Sequence, residues 1–482
     1  MSAELARNPS LLARVEAWLT RRTPAQVIGL AVLALVLLRI PYYGKILLDD
    51  PFITYRYAEN LLTYGQMVFN PGEPVLATTT PLYALIMTAF GAIGLPIPAA
   101  SSFFNLFCEA VLLAVLYRII RTIGLARWQT NAAFGVTALL VIIDRSFSVA
   151  SWGGMETPLF VLLLFGTLLH IIQRRYSWGA VTGSLATLTR PDGIIVLVLL
   201  AGVMLVRERR LAWRQVLIAL AIGLPWVIYA WSTYGTFIPQ SVTAKNAIIP
   251  IWDNAVSTKL TILLYWPLRW FGVFAVLPLA YGLLRSFRPV RNPPALVLVA
   301  FGLLQLAYLF LPNNPGFDWY FVPAVVTAYC FIGLGLVQLL DHRRWVGVVC
   351  GAGIAAGIAF SGAANALSVH TLDRDWRDGM VKAIDYLNES AEPGSTVQST
   401  NIGILGYGTR FRILDPLGLA SPEVLPLFAT SESLQALTLA VAARFQPDYV
   451  VTFGEPEYPG YAVAAEFPNS TLTIYVLQRE DS

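Results

Sequence analysis

The sequence has little charge, little histidine and little cysteine, and each scarcity excludes a class of protein. Asp, Glu, Lys and Arg make up only 13% of the 482 residues, 56% are hydrophobic, and the mean hydropathy is +0.62. Soluble globular domains carry about 25% charged residues, so the composition predicts a polytopic membrane protein. Three scattered histidines disfavour a histidine-built metal site. Three cysteines, all in apolar runs, give neither a zinc spacing nor a disulfide framework.

The net charge of +4 conceals an uneven distribution. Residues 363–482 carry 7 Lys and Arg against 15 Asp and Glu, a net charge of −8, so residues 1–362 carry +12. Basic loops on the inner side of a membrane explain this excess better than a basic face for nucleic acid. We therefore predict no nucleic-acid partner.

Apolar runs follow one another through the first 362 residues. The first, residues 25–43, follows Arg21 and Arg22, and no small-residue cleavage site comes after it, which favours an uncleaved span over a signal peptide. Several of the other runs are shorter than the roughly 20 residues of a straight span. We expect the pair around Arg190 and Pro191 to be broken or partly buried. The ten further runs are 99–121, 127–144, 157–173, 176–190, 192–206, 212–231, 263–285, 294–311, 319–340 and 344–362.

With these eleven spans, every second loop is rich in arginine, as expected for cytoplasmic loops, and the N-terminus lies inside. One more apolar run, residues 81–95, would invert every later loop if it crossed the membrane. We therefore predict that it is a juxtamembrane or re-entrant helix on the outer face. The basic clusters are Arg118, Arg121 and Arg127; Arg174 and Arg175; Arg207, Arg209 and Arg210; Arg285, Arg288 and Arg291; and His342, Arg343 and Arg344.

The predicted fold is mainly α-helical, with three parts. Residues 1–24 form a cytoplasmic leader with an amphipathic helix, and residues 25–362 form a transmembrane domain whose first outer loop is residues 44–98. Residues 363–482 have ordinary polarity and predict an extracytoplasmic α/β domain. Its predicted elements are helices 376–389 and 431–444 and strands 395–400, 410–414, 448–453 and 472–478.

Carboxylates collect on the predicted outer side. Asp50 precedes Pro51 and is expected to cap a helix over residues 52–64, which leaves Asp49 without a structural role. A carboxylate at this depth can act as a general base on a hydroxyl group. Glu156 precedes an apolar helix, where an acidic residue is ordinary, so a functional role and a structural role are equally favoured.

Cations lie on the same side. Arg56, followed by Tyr57, is expected either to snorkel or to hold a phosphate with its planar fork of donors. Arg190 breaks two apolar runs and is predicted to bind an anion, while Asp192 can cap the helix that follows. Lys245 lies in an outer loop; a solvated lysine is the simpler interpretation, and a phosphate contact is the alternative. The predicted donor site also includes Gln240, Ser241 and Tyr320.

Two charged residues fall within the predicted spans. Arg39 lies near the outer end of the first span, where we expect it to snorkel to the interface. Glu109 falls in the middle of the next span and is predicted to form a hydrogen bond between helices. The outer charges together suit a substrate with a lipid tail in the bilayer, a phosphate held by cations and a hydroxyl partner.

The residues of the outer loops resemble a family. They are similar to motifs of the GT-C membrane glycosyltransferases, most closely the actinobacterial arabinofuranosyltransferases, a branch related to protein O-mannosyltransferases and aminoarabinose transferases. The motifs are Asp49-Asp50-x-x-Ile53-x-Tyr55-Arg56-Tyr57-Ala58-x-Asn60-Leu61, Phe69-Asn70-x-Gly72-Glu73, Thr80-Pro81-Leu82, Gly154-Met155-Glu156-Thr157, Leu188-Thr189-Arg190-Pro191-Asp192-Gly193, Gly403-Ile404-Leu405-Gly406-Tyr407 and Ile413-Leu414-Asp415-Pro416-Leu417-Gly418-Leu419.

The resemblance implies a function and a site. It implies transfer of one sugar from a polyprenyl-phosphate donor to a hydroxyl of a cell-envelope glycan, lipid or protein, at the outer face of a bacterial inner membrane. An acid of the first outer loop is the catalytic base in this family. An Asp-Glu pair is common there, and its first Asp corresponds to Asp49. Because this chain has Asp49-Asp50, the assignment stays open between the two, and the capping argument favours Asp49, which we predict to be the base. Glu156 is then expected to position the acceptor or a cation, and the resemblance leaves the use of a divalent metal open.

The alternative function is a lipid or solute transporter. A transporter is expected to show inverted repeats and polar residues near the middle of the bilayer. Here the polar residues cluster at one interface, and Glu109 alone is central in the predicted spans. The sequence favours the transferase.

Overall fold

The structure, a computed structural model, describes residues 11–40, 48–248, 259–260, 272–287, 293–311, 316–371, 373–454, 457–468 and 473–480. The start of the cytoplasmic leader, the end of the first predicted span and the first part of the predicted span 263–285 lie outside these residues. Within them, α-helices account for most of the chain up to residue 390.

Sixteen helices precede the C-terminal domain in the described residues. Four of them (α5, α11, α15 and α16) are long and apolar enough to cross a membrane, and two bent pairs (α1 with α2, α6 with α7) raise the number to six. Other apolar helices are shorter. The helices are α1 Leu11–Arg21, α2 Pro24–Arg39, α3 Asp50–Tyr64, α4 Pro81–Ala92, α5 Ile97–Arg121, α6 Arg127–Ile143, α7 Arg145–Trp152, α8 Thr157–Ile172, α9 Tyr176–Thr189, α10 Ile194–Val203, α11 Trp213–Tyr234, α12 Gln240–Ile248, α13 Val273–Ser286, α14 Pro293–Leu309, α15 Asp318–His342 and α16 Arg344–Thr371.

The predicted amphipathic leader helix is present as α1, which meets α2 at 105°. Thr23 separates the two helices, because its side chain accepts a hydrogen bond from the backbone of Gln26 in a capping box and Pro24 opens α2. The main apolar core lies between α5, α6, α8 and α15, with buried side chains such as Leu116, Phe134, Phe165 and Phe331. The helices around this core hold the outer loops in place.

The C-terminal part is the predicted α/β domain. It begins with α17 (Asp373–Ser390) and contains β1 (Thr396–Ser399), α18 (Ile402–Gly408), β2 (Arg412–Leu414), α19 (Leu434–Phe445), β3 (Tyr449–Phe453), β4 (Tyr461–Phe467) and β5 (Ile474–Arg479). The sheet order is β2-β1-β3-β5-β4; β1 pairs in parallel with β2 and β3, and β5 pairs antiparallel with β3 and β4.

Several sequence predictions differ from the structure. Strand β4 and helix α18 were missed, because β4 is a largely exposed strand without clean alternation and α18 has only seven residues with three glycines. The outer segment around Lys245 is helical (α12) instead of a loop. The last long apolar helix continues to Thr371, beyond the boundary predicted at residue 362.

The α/β domain and the first outer loop share one hydrophobic core. Phe52, Tyr55 and Phe69 of the loop pack in the same cluster as Ile384 and Leu405 of the domain. Burying apolar side chains from both parts stabilises the two together. The domain is therefore fixed on the outer loop, and the two parts together wall a cavity.

Candidate active site

A cavity of about 540 Å³ lies between the first outer loop, the loop before α8, the turn after α9, helix α12 and the start of α15. Residues of the C-terminal domain, Asn401 and Leu417 among them, complete its wall. The cavity brings together eight of the eleven predicted site residues. They are Asp49, Asp50, Glu156, Arg190, Asp192, Ser241, Lys245 and Tyr320.

The two adjacent aspartates have different surroundings. Helix α3 begins at Asp50, so Asp49 and not Asp50 occupies the cap position, and neither side chain caps this helix. Instead, the Asp49 carboxylate accepts hydrogen bonds from the backbone N–H groups of Gly403 (3.0 Å) and Ile404 (2.9 Å). The sequence prediction that Asp49 is free of structural duty and Asp50 is the cap was therefore wrong. Among the described residues, no donor bonds to the exposed Asp50 carboxylate.

Both aspartates have raised pKa values. Desolvation raises the pKa of Asp49 from 3.8 to about 7, against the opposing effect of its two backbone hydrogen bonds. Desolvation by the cavity walls also raises the pKa of Asp50, and the positive charge of Lys245 opposes this rise. A carboxylate with a pKa closer to neutral accepts a proton more readily.

Three neighbouring helices hold the loop that carries Glu156. The carbonyl oxygen of Gly154 accepts hydrogen bonds from the Tyr55 hydroxyl of α3 (2.9 Å) and the Tyr83 hydroxyl of α4 (3.0 Å). Asn105 of α5 donates to the carbonyl of Met155 (2.8 Å). Gly154 has φ +85°, where glycine is favoured. The position of Glu156 is thus determined by contacts on both sides of the loop.

Arg190 is buried and already paired. Its guanidinium donates to Asp192 (Nε to Oδ1, 3.1 Å) and lies 3.5 Å from Glu156 Oε1. The same group lies over the rings of Phe160 (4.9 Å) and Tyr320 (4.2 Å). Burial raises the pKa of Glu156, and Arg190 opposes this rise. A buried charge needs such partners, so Arg190 holds the two carboxylates together in addition to facing the cavity.

Helix α12 presents a second cation. Ser241 and Lys245 are four residues apart and so share one face of the helix, and both line the cavity. The half-buried Lys245 ammonium lies 3.5 Å from the Tyr320 hydroxyl and, within the described residues, forms no salt bridge with a carboxylate. The Ser241 hydroxyl is buried and has no hydrogen-bond partner in the described part of the chain.

Three predicted site residues do not line this cavity. Arg56 is buried and donates to the carbonyls of Phe69, Thr409 and Phe411 at 2.7–2.9 Å, so it fastens α3 to the C-terminal domain. Tyr57 donates to the carbonyl of Val75 and accepts from the backbone of Ala77. These contacts contradict the placement of both residues at the donor phosphate, because their polar atoms are used in holding the outer loop.

Gln240 also lies beside the cavity instead of in its wall. Its backbone N–H donates to Leu76 (2.7 Å) and its side chain to Gly418 (3.3 Å), so it joins α12 to the outer loop and the domain. Sequence reasoning missed a polar wall of threonines. Thr54 and Thr78 both bond to Thr80 (3.0 and 3.2 Å), and the run of threonines before Pro81 was the available signal.

Arg39 is not the snorkelling residue expected from the sequence. It is 4% exposed and pairs with Glu109 at 2.8 Å, while its Nη1 donates to Ser148 (2.6 Å) and the carbonyl of Ile142 (2.7 Å). Ser151 bonds to the other oxygen of Glu109. The predicted hydrogen bond of Glu109 between helices is confirmed. Its partner is Arg39, which the sequence prediction placed at the membrane interface.

The described residues contain no group of three or more His, Cys, Asp or Glu side chains placed to hold a metal ion. Two carboxylates of the cavity, Glu156 and Asp192, meet at Arg190. The Arg190 guanidinium therefore fills the space between these two carboxylates.

Comparison with known proteins bears on the fold and the family. A family model described as a domain of unknown function (DUF8728) matches residues 370–480. A curated relative, the terminal beta-(1->2)-arabinofuranosyltransferase of Mycobacterium tuberculosis (strain ATCC 25618 / H37Rv), is 27% identical over 305 residues, which cover 54% of this chain and 47% of the relative. The chain thus matches about half the length of that relative.

Solved structures share the fold over most of this chain. ArnT from Cupriavidus metallidurans bound to undecaprenyl phosphate superposes with a TM-score of 0.62 at 14% identity, covering 94% of this chain and 98% of that one. The oligosaccharyltransferase AglB from Archaeoglobus fulgidus, in complex with an inhibitory peptide and a dolichol-phosphate, gives 0.61 at 14% identity, covering 90% and 70%. The predicted fold is confirmed: this chain is a polytopic membrane protein with the GT-C fold of these two structures.

Proposed function

We propose that the protein transfers one sugar from a polyprenyl monophosphate to an acceptor hydroxyl on the outer face of a bacterial inner membrane. The observation that carries this is a single cavity containing an unbonded carboxylate, Asp50, and a cation without a carboxylate partner among the described residues, Lys245. The relative named as an arabinofuranosyltransferase and the ArnT structure with undecaprenyl phosphate support a lipid-linked sugar donor. The acceptor is a glycan, lipid or protein of the cell envelope.

Lys245 and Ser241 are proposed to hold the donor phosphate. A phosphate needs positive charge and hydrogen-bond donors, and a buried hydroxyl without a partner is costly unless a ligand satisfies it. Arg190 is less available, since Asp192 and Glu156 already neutralise it. Its remaining N–H groups can support the phosphate at longer range, in the role predicted from the sequence.

Asp50 is proposed as the general base. The acceptor oxygen attacks the anomeric carbon and forms the new glycosidic bond, the bond from that carbon to the phosphate oxygen breaks, and the polyprenyl phosphate leaves with the electron pair. The acceptor proton passes to the Asp50 carboxylate. Asp49 is the second candidate, but its two oxygens already accept backbone hydrogen bonds, which leaves them less accessible to an acceptor hydroxyl than the Asp50 oxygens.

The function is tested with purified protein in lipid nanodiscs and a panel of polyprenyl-phosphate sugars that includes an arabinofuranosyl donor. We expect one donor to give a product whose mass increases by one sugar, and the Asp50→Asn variant to give none. The transporter alternative predicts no product with any donor, and lipid movement across vesicles that is equal in the parent and in Asp50→Asn. That result would reject the transferase.

The proposed topology is tested by cysteine labelling from outside intact cells. The native cysteines Cys108, Cys330 and Cys350 are buried and give little background. A cysteine in place of Glu457, which is exposed in the C-terminal domain, should react, and one in place of Arg210 should not. Labelling at the Arg210 position would place the arginine-rich loops outside and overturn the orientation.

A further inference from the structure

A second cavity, of about 530 Å³, lies between the outer loop and the C-terminal domain. It is lined by the C-terminal half of α3 and by residues at the ends of α17 and α18 and just beyond them. Its polar and aromatic lining side chains include Glu59, Tyr64, Asn388, Tyr407 and Arg410. None of these five residues lines the first cavity.

The two cavities lie at opposite ends of the same pair of helices. The first residues of α3 and α18, Asp50 and Ile402, line the first cavity, and the last residues, Tyr64 and Gly408, line the second. An α-helix rises 1.5 Å per residue, so the cavities are separated by roughly 10–20 Å. Asp49 and Arg56 fasten α3 to the domain along this partition. A molecule that reaches both cavities must be elongated.

The second cavity has free groups of both charges. Within the described residues, neither the Glu59 carboxylate nor the exposed Arg410 guanidinium forms a hydrogen bond or a salt bridge. Burial raises the pKa of Glu59, and the nearby positive charges of Arg56 and Arg410 oppose this rise. Asn388 donates to the carbonyl of Gly408 (3.0 Å), which leaves its amide oxygen available. The wall therefore offers both acceptors and donors.

Two tyrosines add apolar faces to this wall. Tyr64 is 47% exposed, and Tyr407 is held edge-on against Phe52 and Tyr55. Aromatic faces beside paired donors and acceptors suit a neutral ligand with many hydroxyl groups. An anionic ligand would meet the Glu59 carboxylate, and a peptide would need a deep apolar pocket for an anchoring side chain.

We propose that the second cavity is a glycan subsite, which binds a remote part of an oligosaccharide acceptor whose reacting end lies in the first cavity. This inference rests on the proposed function.

Binding is tested first without a donor, by calorimetry on full-length protein in nanodiscs. The probes are a synthetic arabinofuranosyl hexasaccharide, maltohexaose as a second neutral glycan, and an uncharged hexapeptide. We expect one of the glycans to bind and Glu59→Gln and Arg410→Ala each to weaken its binding by about tenfold, the loss expected for a hydrogen bond to a charged group. Arg444→Ala, an exposed arginine on α19, is the matched control and should bind as the parent does.

Turnover gives a second measurement. The preference for a hexasaccharide acceptor over a disaccharide, expressed as the ratio of the two kcat/KM values, should fall by about tenfold in Glu59→Gln and Arg410→Ala. The subsite is rejected if neither glycan binds, if only the peptide binds, or if both variants bind the glycan as tightly as the parent. If the variants weaken glycan binding but no donor gives a product, the subsite stands and the proposed transfer fails.

Discussion

The carboxylate of Asp49 accepts a hydrogen bond from the backbone N–H of Gly403, 354 residues further along the chain. This contact, and its neighbour at Ile404, join the first outer loop to the short helix α18 of the C-terminal domain. Asn401 and Ile402, which precede and begin that helix, line the first cavity. The first cavity is therefore complete only when the C-terminal domain is docked on the outer loop.

Gly403→Ala tests this docking. A Cβ atom at Gly403 would collide with the backbone carbonyl of Asp49, which cannot move away without moving α3. Overpacking of this kind costs about 1–3 kcal/mol. We expect faster amide hydrogen exchange in residues 402–408 and reduced turnover. Gly135→Ala, in α6 with open space at its Cβ, is the control. Unchanged exchange in Gly403→Ala would show that α18 docks without the contact.

The pH dependence of stability should report on Asp49. Its pKa of about 7 exceeds the ordinary 3.8, so the folded protein keeps a proton at pH values where the unfolded chain has lost it. Stability therefore falls as the pH rises from about 4 to about 7 and levels off above, with a slope of at most about 1.4 kcal/mol per pH unit. Asp415, whose pKa burial raises to about 6, acts in the same direction.

Thermal denaturation in detergent at about pH 5 and about pH 8, on either side of the Asp49 pKa, measures this effect. The parent should melt at a higher temperature at the lower pH, and Asp49→Asn should show a smaller difference, because Asp49 no longer titrates while Asp415, Asp50 and Glu156, whose pKa values burial also raises, remain. An equal difference in the parent and the variant would show that Asp49 does not titrate in this range.

Asp50→Asn should abolish most turnover and leave the fold intact, because Asp50 is exposed to the cavity and its carboxylate holds no other group among the described residues. Loss of a general base lowers the rate by about 10²–10⁴-fold. The measurement is kcat with the active donor, alongside the affinity for polyprenyl phosphate, which should change little. If Asp49→Asn loses activity to this extent and Asp50→Asn does not, the base lies one residue earlier.

The sequence predicted the architecture because its signals are strong and local. Apolar runs, arginine-rich loops and the change in polarity after residue 362 predicted the membrane part and the α/β domain, and the outer-loop motifs predicted the GT-C fold. Charged residues beside hydrocarbon are rare enough that Asp49, Asp50, Glu156, Arg190 and Lys245 were found from position alone. The structure brings all five to one cavity.

Individual partners could not be predicted, because they depend on contacts between distant segments. The bonds from Arg56 to Thr409 and Phe411 join residues 353 and 355 positions apart, and the pair of Arg39 with Glu109 joins two helices whose relative rotation the sequence does not show. The N-cap of α3 was also assigned to the wrong aspartate. The order Asp-Asp-Pro fits an N-cap at either residue, and the position of the C-terminal domain determines which carboxylate accepts its backbone hydrogen bonds.

Lys245→Ala and Arg190→Ala should separate two kinds of cation. Lys245 has no carboxylate partner among the described residues, so Lys245→Ala should remove the proposed phosphate contact, worth about 1.5–3 kcal/mol, and weaken binding of polyprenyl phosphate by about 10–150-fold with little change in stability. Arg190→Ala leaves Glu156 and Asp192 unpaired in a buried site and should lower stability by about 3–5 kcal/mol.

The measurements are the affinity for polyprenyl phosphate and the melting temperature of both variants. A stable Arg190→Ala protein that fails to bind the lipid, beside a Lys245→Ala protein that binds normally, would reverse the assignment.

Gly154→Ala should displace Glu156 without touching it. A Cβ atom at Gly154 would overlap the Tyr55 hydroxyl and crowd Ser101, and the φ of +85° is unfavourable for alanine. Because the Tyr55 and Tyr83 hydroxyls both bond to the Gly154 carbonyl, the loop cannot shift without losing these bonds. We expect a loss of stability of about 1–3 kcal/mol and a fall in kcat, compared with Gly166→Ala in α8, where a Cβ meets nothing within 4 Å.

A second substitution at Tyr55 tests the cause of this loss of stability. Gly154→Ala combined with Tyr55→Phe removes the overlapping oxygen, and Tyr55→Phe alone measures the loss of the Tyr55 hydrogen bonds. The double variant should lose less stability than the sum of the two single variants; additive losses would show that backbone strain, and not the overlap with Tyr55, accounts for the effect of Gly154→Ala.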